Sequence, residues 1–275
     1  MIKNFYKFIR YFSFDIVGGA VCSAFFVYKS ESLNINKTYI VILALVVFWI
    51  YLADHLLDAY RLKNKTVSAR HLFYYKYRFL LIVLLALSSL SILISILFYL
   101  DNSIIFTGGF MGVGVLVYLL LNQLQMVKGK YLLPKELVIA LLYTAGLWAG
   151  VISVKGLQIN WLLFAGFFYL VLANVLIYSY FDAESDERDG IISLFGREKI
   201  SQILSLLRLF NVVGCLGLII LFFADMEWGF VVIMLLMNLC LSCIIWFPDQ
   251  FKANDRFGKV ADAVFLLPVV ATLFL

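Results

Sequence analysis

Two acidic clusters lie in an otherwise apolar chain, and each contains a pair of aspartates four residues apart. The first pair is Asp54 and Asp58, and the second is Asp182 and Asp186. On a helix, this spacing places both carboxylates of a pair on one face, one turn apart. Like charges placed so closely repel, and acids at a membrane boundary are costly and tend to be functional. A sequence that repeats this arrangement is therefore expected to bind cations.

The composition indicates an all-α integral membrane protein. Hydrophobic residues make up 64% of the 275 residues, against roughly 45–50% apolar residues in a soluble domain. A membrane-spanning helix needs about 20 mostly apolar residues. The apolar runs are continuous rather than alternating, which excludes a membrane β-barrel. Nine transmembrane helices are predicted, at approximately residues 11–28, 38–54, 79–100, 103–121, 135–154, 158–180, 202–224, 227–247 and 259–275.

Lysine and arginine are divided unequally between the two ends of these segments. If the N-terminus lies in the cytoplasm, only Lys29, Lys37 and Lys155 of the 22 basic residues fall on the outer side. The positive-inside rule then predicts an N-in, C-out orientation, with both acidic clusters on the cytoplasmic side. The formal net charge of +5 is explained by this topology and does not indicate nucleic-acid binding.

The spacing of the clusters also predicts how the chain is organised. No linker rich in proline, glycine or serine interrupts residues 1–275, so we expect a single domain. Asp54 and Asp182 are 128 residues apart, as are Asp58 and Asp186, and each pair follows an even-numbered span. This regularity predicts two four-helix halves in the same orientation, followed by a ninth helix.

Magnesium is usually bound by one or two carboxylates together with water and substrate phosphates. Two aspartate pairs facing one cavity could therefore bind Mg²⁺ ions that bridge a diphosphate. Arginine and lysine complement phosphate oxygens, and such residues follow or flank both clusters. The candidates for diphosphate binding are Arg61, Lys65, Arg70, Lys128, Lys135 and Arg188. Acids for a metal and bases for phosphate suit a diphosphate whose hydrocarbon tail lies in the membrane.

At these residues the chain resembles the UbiA superfamily of intramembrane prenyltransferases. The first motif of that family, N-x-x-x-D-x-x-x-D, is matched by Ile50-x-x-x-Asp54-x-x-x-Asp58. The second motif, D-x-x-x-D followed by glycine, is matched by Asp182-x-x-x-Asp186-x-x-x-Gly190. The family fold has nine helices, with the motifs after helices two and six, in agreement with the predicted spans.

Three departures mark a divergent member of the superfamily. Ile50 occupies the position of the first motif's asparagine, and His71 follows Arg70 where the family usually has proline. Ser193 occupies the position of a usual threonine after the second motif. All four motif aspartates are nevertheless present.

The resemblance implies a Mg²⁺-dependent enzyme in which the four motif aspartates bind the metal and act in catalysis. It would transfer a polyprenyl group from an isoprenyl diphosphate to an unidentified small lipophilic acceptor, often aromatic. The protein would be a multi-pass component of the cell's inner, cytoplasmic membrane, with its active site facing the cytoplasm. The alternatives are a non-catalytic family member, or a transporter that uses the acidic clusters for ion coupling.

Three polar residues inside the spans are candidates for the cavity that receives the prenyl chain and acceptor. Asp15 either faces this cavity or pairs with a basic residue such as Arg208. Asn174, two turns before Asp182, either contacts substrate or forms an interhelical hydrogen bond. Tyr178 lies near the second cluster, where its ring could stabilise a developing carbocation.

Two other groups are interpreted as structural. His55 adjoins Asp54 in sequence but is expected on a different face of the helix. The charged residues that open the ninth span are expected to form an interfacial charge network; they are Asp255, Arg256, Lys259 and Asp262.

Overall fold

The protein is a bundle of helices in a computed structural model that describes residues 8–62, 69–128, 134–189, 200–224 and 226–270. Within these ranges the chain contains helices and no β-strand. The helices are α1 (Phe14–Ser30), α2 (Lys37–Leu62), α3 (Ala69–Lys76), α4 (Arg78–Tyr99), α5 (Asn102–Lys128), α6 (Lys135–Lys155), α7 (Trp161–Asp189), α8 (Ile200–Ile220), α9 (Trp228–Trp246), α10 (Pro248–Lys252) and α11 (Arg256–Ala263). Short 3₁₀ turns follow α8, α10 and α11.

Seven of the described helices, α2 and α4 to α9, are long and apolar enough to cross a membrane. Helix α1 has 17 residues, close to the lower limit of about 17 for a span. Large apolar side chains cover the outside of the bundle, and Phe98, Phe106 and Phe223 are each at least 75% exposed. Such a surface is unfavourable in water and suits lipid, so this is a multi-pass membrane protein. The count of nine spans, the paired four-helix halves and the orientation stay predictions.

The chain after α9 differs from the predicted ninth span. In residues 248–270 it forms α10, α11 and 3₁₀ turns instead of one continuous helix. Asp255, before the predicted span, adopts a left-handed conformation with φ of 56°, which an α-helix cannot accommodate. Inside the predicted span, a 3₁₀ turn forms at Val264–Leu266, and hydropathy does not register it because the turn and its neighbours remain largely apolar. As a consequence, α11 packs against α1, α7 and α9 near the centre of the bundle.

The two helices that carry the acidic motifs extend beyond their predicted ends. Helix α2 continues to Leu62 and α7 continues to Asp189, whereas the hydropathy pattern ends near residues 54 and 180. Both aspartates of each motif therefore lie on a helix. The i, i+4 geometry expected from their spacing applies directly.

Opposite sides of α2 have different partners. Leu52, Leu56 and Ala59 share one side and pack against Tyr74 of α3 and Leu81 of α4. The motif aspartates lie on the other side of α2, since two residues advance a helix by about 200°. Burial of these apolar residues holds α2 in a rotation that directs its acids toward the bundle centre.

Tyr74 also connects this part of the bundle to the N-terminal segment. Its hydroxyl donates a hydrogen bond of 2.8 Å to the carbonyl of Tyr11. Burial raises the pKa of the Tyr74 hydroxyl, which keeps it protonated as a donor. The short α3 is thereby held between α2 and the chain that precedes α1.

At the opposite end of the bundle, Glu31 connects α1 with α6 and α7. Its side chain is only 4% exposed and accepts hydrogen bonds from Trp148 Nε1, at 3.4 Å, and from the backbone N–H of Asn160, at 2.8 Å. The ammonium of Lys155 lies 3.1 Å from Oε2 of Glu31 and donates at 2.6 Å to the Glu31 carbonyl. One carboxylate therefore satisfies donors from α6 and from the connection between α6 and α7.

We predict that Glu31→Ala lowers the free energy of unfolding by about 2 kcal/mol, because it leaves buried donors without an acceptor. Thermal unfolding of the purified protein in detergent measures the change. Glu227→Ala is the matched control, since Glu227 is exposed at the start of α9 and its loss should stay within about 0.5 kcal/mol. Equal stability of the two variants would contradict the connecting role of Glu31.

Candidate active site

A cavity of about 310 Å³ lies between the ends of α2 and α7 that carry the acidic motifs. Residues of α1, α3, α6 and α11, and of the segment before α1, complete its wall. Three of the four motif aspartates, Asp54, Asp58 and Asp182, line this one cavity. The fold therefore brings together acids that are 128 residues apart in the chain. Asp186 lies on α7, but its side chain is outside the described part of the structure.

One face of α7 supplies polar groups at several depths. Asn174, Tyr178 and Asp182 follow one another at intervals of four residues, and all three line the cavity. Each interval of four residues corresponds to a distance of about 6 Å along the helix axis. Asp182 lies nearest the end of α7, and Tyr178 and Asn174 lie progressively further into the span.

The basic candidates divide into two groups. Arg70 of α3 and Lys135, the first residue of α6, line the cavity beside the acids. Arg61 instead lies against Asp58, with its Nη2 atom 3.4 Å from Oδ1 of that carboxylate. Arg188 is exposed and is not among the residues of the cavity wall.

Two more of the basic candidates fall outside what the structure describes. Lys65 lies in the undescribed stretch after α2, and Lys128 ends α5 with a side chain that is not described. Their expected role in diphosphate binding stays a prediction.

His55 belongs to the cavity wall, and interpreting it as a purely structural residue was too narrow. Its Nε2 atom lies 3.2 Å from Nη1 of Arg70. A guanidinium can only donate, so Nε2 must accept and the neutral ring carries its proton on Nδ1. The ring packs edge-on against Tyr74, with centroids 5.2 Å apart. His55 therefore fixes the position of the Arg70 head group at the cavity.

The inner part of the cavity contains an acid that the sequence analysis assigned to an interfacial charge network. Asp262 of α11 is only 9% exposed, lines the cavity, and accepts a hydrogen bond of 2.5 Å from the Tyr178 hydroxyl. Asn174 donates at 2.7 Å to the carbonyl of Ala261, which holds α11 against α7. Asn174 thus forms an interhelical hydrogen bond and lines the cavity as well.

Asp15 also lines the cavity, and its basic neighbour differs from the expected one. The Nε atom of Arg10 lies 4.0 Å from Oδ2 of Asp15, and Arg10 also forms an ion pair with Asp255. Arg208 lies elsewhere, with its guanidinium 5.2 Å from the centroid of the Trp246 ring.

No family model and no curated protein matches this chain in sequence. Its structure is similar to the apo structure of a UbiA homolog from Aeropyrum pernix K1, with a TM-score of 0.72 and 14% identity, covering 96% of this chain and 98% of the other. A digeranylgeranylglyceryl phosphate synthase gives a TM-score of 0.56 with 13% identity, covering 94% of each chain. The chain has the UbiA fold. The resemblance read from the motifs is confirmed at this level.

The first acidic motif offers donor atoms that suit a hard cation. Among the described residues, Oδ1 of Asp54 and Oδ1 of Asp58 are buried and accept no hydrogen bond, although Oδ1 of Asp58 also forms the ion pair with Arg61. The described part of the chain contains no group of three or more His, Cys, Asp or Glu side chains arranged around one metal position. Because Mg²⁺ often takes only one or two carboxylates and completes its octahedron with water and phosphate, the donor set on this UbiA fold fits Mg²⁺.

The arrangement is suited to bind a polyanion together with metal ions. Arg70 supplies a planar fork of donors and Lys135 a point charge, both next to the acids. Further into the span the wall contains the apolar side chains Ile139, Val171 and Val175 beside the polar ones described above. The wall therefore offers apolar contacts for a hydrocarbon tail as well as donors for a charged head.

We predict that His55→Leu weakens the binding of inorganic diphosphate in the presence of Mg²⁺ by about three- to tenfold, because Arg70 loses the acceptor that positions it. His55→Gln should restore most of the affinity, since its amide oxygen can accept from the guanidinium. Isothermal titration of the purified variants measures both values. Equal affinity for the wild type and His55→Leu would show that Arg70 does not depend on His55.

Proposed function

We propose that this protein is a UbiA-superfamily prenyltransferase. It transfers a polyprenyl group from an isoprenyl diphosphate to a small lipophilic acceptor within the membrane, in a Mg²⁺-dependent reaction. The observation that carries the proposal is the single cavity that unites Asp54, Asp58 and Asp182 with Arg70 and Lys135. The UbiA fold of the chain, and the likeness to a protein described as a digeranylgeranylglyceryl phosphate synthase, support it.

The head and the tail of the donor would bind to different parts of the cavity. Arg70 and Lys135 donate to phosphate oxygens, and His55 keeps the guanidinium in place. The isoprenyl chain lies against the apolar wall that begins at Val171 and Val175. Burial of the chain removes water from the reacting carbon, which prevents hydrolysis in place of transfer.

The metal would be held by Asp54, Asp58 and Asp182, together with Asp186. A bound dication acts as a Lewis acid and stabilises the negative charge that develops on the departing diphosphate. Arg70 and Lys135 add fixed positive charge around the same leaving group. Tyr51 and Tyr143 also line the cavity, and their rings can stabilise positive charge on the allylic carbon.

The same proposal places the protein in the cytoplasmic membrane, with the cavity facing the cytoplasm. Its support is the charge distribution, since the ends of α2 and α7 at the cavity belong to the lysine- and arginine-rich set of segment ends. A water-soluble diphosphate head would then reach its site from the cytoplasm, while the tail remains in the bilayer.

We predict that Asp54→Asn and Asp182→Asn each reduce prenyl transfer by at least about 100-fold, because each removes a charged metal ligand. Removal of divalent ions with a chelator should abolish transfer, and added Mg²⁺ should restore it. The measurement uses purified protein in nanodiscs, radiolabelled geranylgeranyl diphosphate and extracted membrane lipids as a source of acceptors.

Asp249→Asn is the control for these variants, because Asp249 is an exposed acid of α10 outside the cavity wall. It should retain wild-type activity. Full activity in Asp54→Asn or in Asp182→Asn would refute the metal-binding role.

We predict that Arg70→Gln raises the KM for the prenyl diphosphate by about 10- to 100-fold, which corresponds to the loss of one charge-assisted hydrogen bond. Arg188→Gln is its matched control, since Arg188 also adjoins an acidic motif but is exposed. Steady-state kinetics with varied donor concentration separates the two variants. A larger effect for Arg188→Gln would mean that the head group binds outside the described cavity.

A further inference from the structure

The pair formed by Tyr178 and Asp262 lies one helical turn further into the span than Asp182. Tyr178 precedes Asp182 by four residues on the cavity face of α7, a rise of about 6 Å. If the diphosphate binds beside Asp182, its first prenyl carbon points toward this pair. An acceptor atom must approach that carbon to within about 3–3.5 Å for reaction. The pair is therefore at the depth where the reacting atom of the acceptor belongs.

The pair is held rigidly. Asp262 is buried, and its Oδ2 atom accepts from the Tyr178 hydroxyl at 2.5 Å. The hydrogen bond from Asn174 to the Ala261 carbonyl fixes the adjacent backbone. Gly258 permits the close approach, since a Cβ there would lie 2.5 Å from the Arg10 guanidinium and 3.0 Å from the Tyr178 hydroxyl. A buried polar pair held by these contacts can orient a ligand.

The charges at this inner end disfavour an anionic ligand. Asp15 and Asp262 both line it. Arg10 lies beside them and already forms ion pairs with Asp15 and Asp255. Arg70, the next cation of the wall, is held by His55. A carboxylate or phosphate on the acceptor would meet like charge in a poorly solvated space. A hydroxyl group, in contrast, can donate to the Asp262 carboxylate.

We propose that Asp262 and Tyr178 form the acceptor subsite and select an acceptor that carries a hydroxyl group and no negative charge. This inference rests on the proposed prenyltransferase function and specifies its second substrate. In the reaction, the carbon–oxygen bond to the diphosphate breaks and its electron pair leaves with the diphosphate. The acceptor oxygen forms the new bond to that carbon. Its proton passes to Oδ1 of Asp262, the carboxylate oxygen opposite the one that Tyr178 contacts.

The first test compares Asp262→Asn with Asp249→Asn in purified protein supplied with Mg²⁺, geranylgeranyl diphosphate and methyl 4-hydroxybenzoate. Asp262→Asn preserves the shape of the side chain and an oxygen that can accept from Tyr178, but it removes the base. We expect kcat/KM for the phenol to fall at least about tenfold, while the KM for the diphosphate changes less than threefold. Tyr178→Phe should raise the KM for the phenol by about three- to tenfold with the same donor KM. Asp249→Asn should change neither constant.

The second test uses the wild-type protein and a matched pair of probes. Methyl 4-hydroxybenzoate and 4-hydroxybenzoate share a ring and a hydroxyl group and differ in charge. We expect the neutral ester to be used at least about tenfold more efficiently than the acid. If neither probe is prenylated, their affinities for protein loaded with Mg²⁺ and an unreactive thio-diphosphate donor are compared by titration, with the same expected order.

The outcomes separate this inference from the function on which it rests. If the wild type does not bind the prenyl diphosphate in a Mg²⁺-dependent manner, the proposed function itself is overturned. Donor binding together with equal use or equal binding of the two probes would overturn only the acceptor subsite. Transfer by Asp262→Asn at the wild-type rate would do the same. If Asp262→Asn fails to bind the donor, the comparison of probes on the wild type decides.

Discussion

The main constraint on this structure is the free-energy cost of desolvating carboxylates among apolar helices. An acid in a poorly solvated environment is stable only where a cation or a hydrogen-bond donor compensates its charge. Five aspartates line the described cavity, and all of them share it with Arg10, Arg70 and Lys135. The acids come from α1, α2, α7 and α11, so the packing of these helices must place distant parts of the chain where cations and donors lie beside the acids. The arrangement of the surrounding helices can be understood from this requirement.

Each motif helix has one apolar side that packs in the bundle and one polar side that faces the cavity. On α2, the side with Leu52 and Leu56 is covered by Tyr74 and Leu81, which leaves the acidic side for the cavity. On α7, one row of residues at intervals of four faces the cavity, while Phe167 and Ile177 are buried in the main core. Apolar packing thus sets the rotation of both helices, and that rotation decides which polar groups meet.

The parts of the site that could be predicted from the sequence are those that depend on local periodicity. Apolar length identified the long helices, and spacing of four placed Asp54 with Asp58 on one face of α2. Asp262 was assigned to an interfacial charge network instead, because its place in the cavity depends on the path of the chain after the left-handed residue Asp255. Arg70 and Arg188 both adjoin an acidic motif, and only tertiary packing shows that one lines the cavity while the other is exposed.

Tertiary packing also decides which of the residues that depart from the family motif reach the cavity. Ile50, at the position of the motif's asparagine, is half-buried and is not among the residues that line the cavity, whereas Tyr51 next to it is. A phenol ring therefore contributes to the wall near the first acidic motif. His71 also lines the cavity where the family usually has proline, beside the arginine that His55 holds. The wall near the first motif is consequently richer in aromatic and imidazole rings than the motif alone predicts.

The net charge of the cavity wall has different consequences for ligands at its two ends. With its described acids ionised and its histidines neutral, the wall carries five negative charges against three positive ones. A diphosphate is itself multiply negative, so it cannot bind favourably beside Asp54, Asp58 and Asp182 unless dications enter with it. No such ion is required at the inner end, where Arg10 already lies against Asp15 and Asp262 accepts from Tyr178. On the proposed function, the metal ions therefore belong to the donor. A neutral acceptor is then expected, because Asp15 and Asp262 face the inner end with Arg10 already in ion pairs and no cation entering with the acceptor.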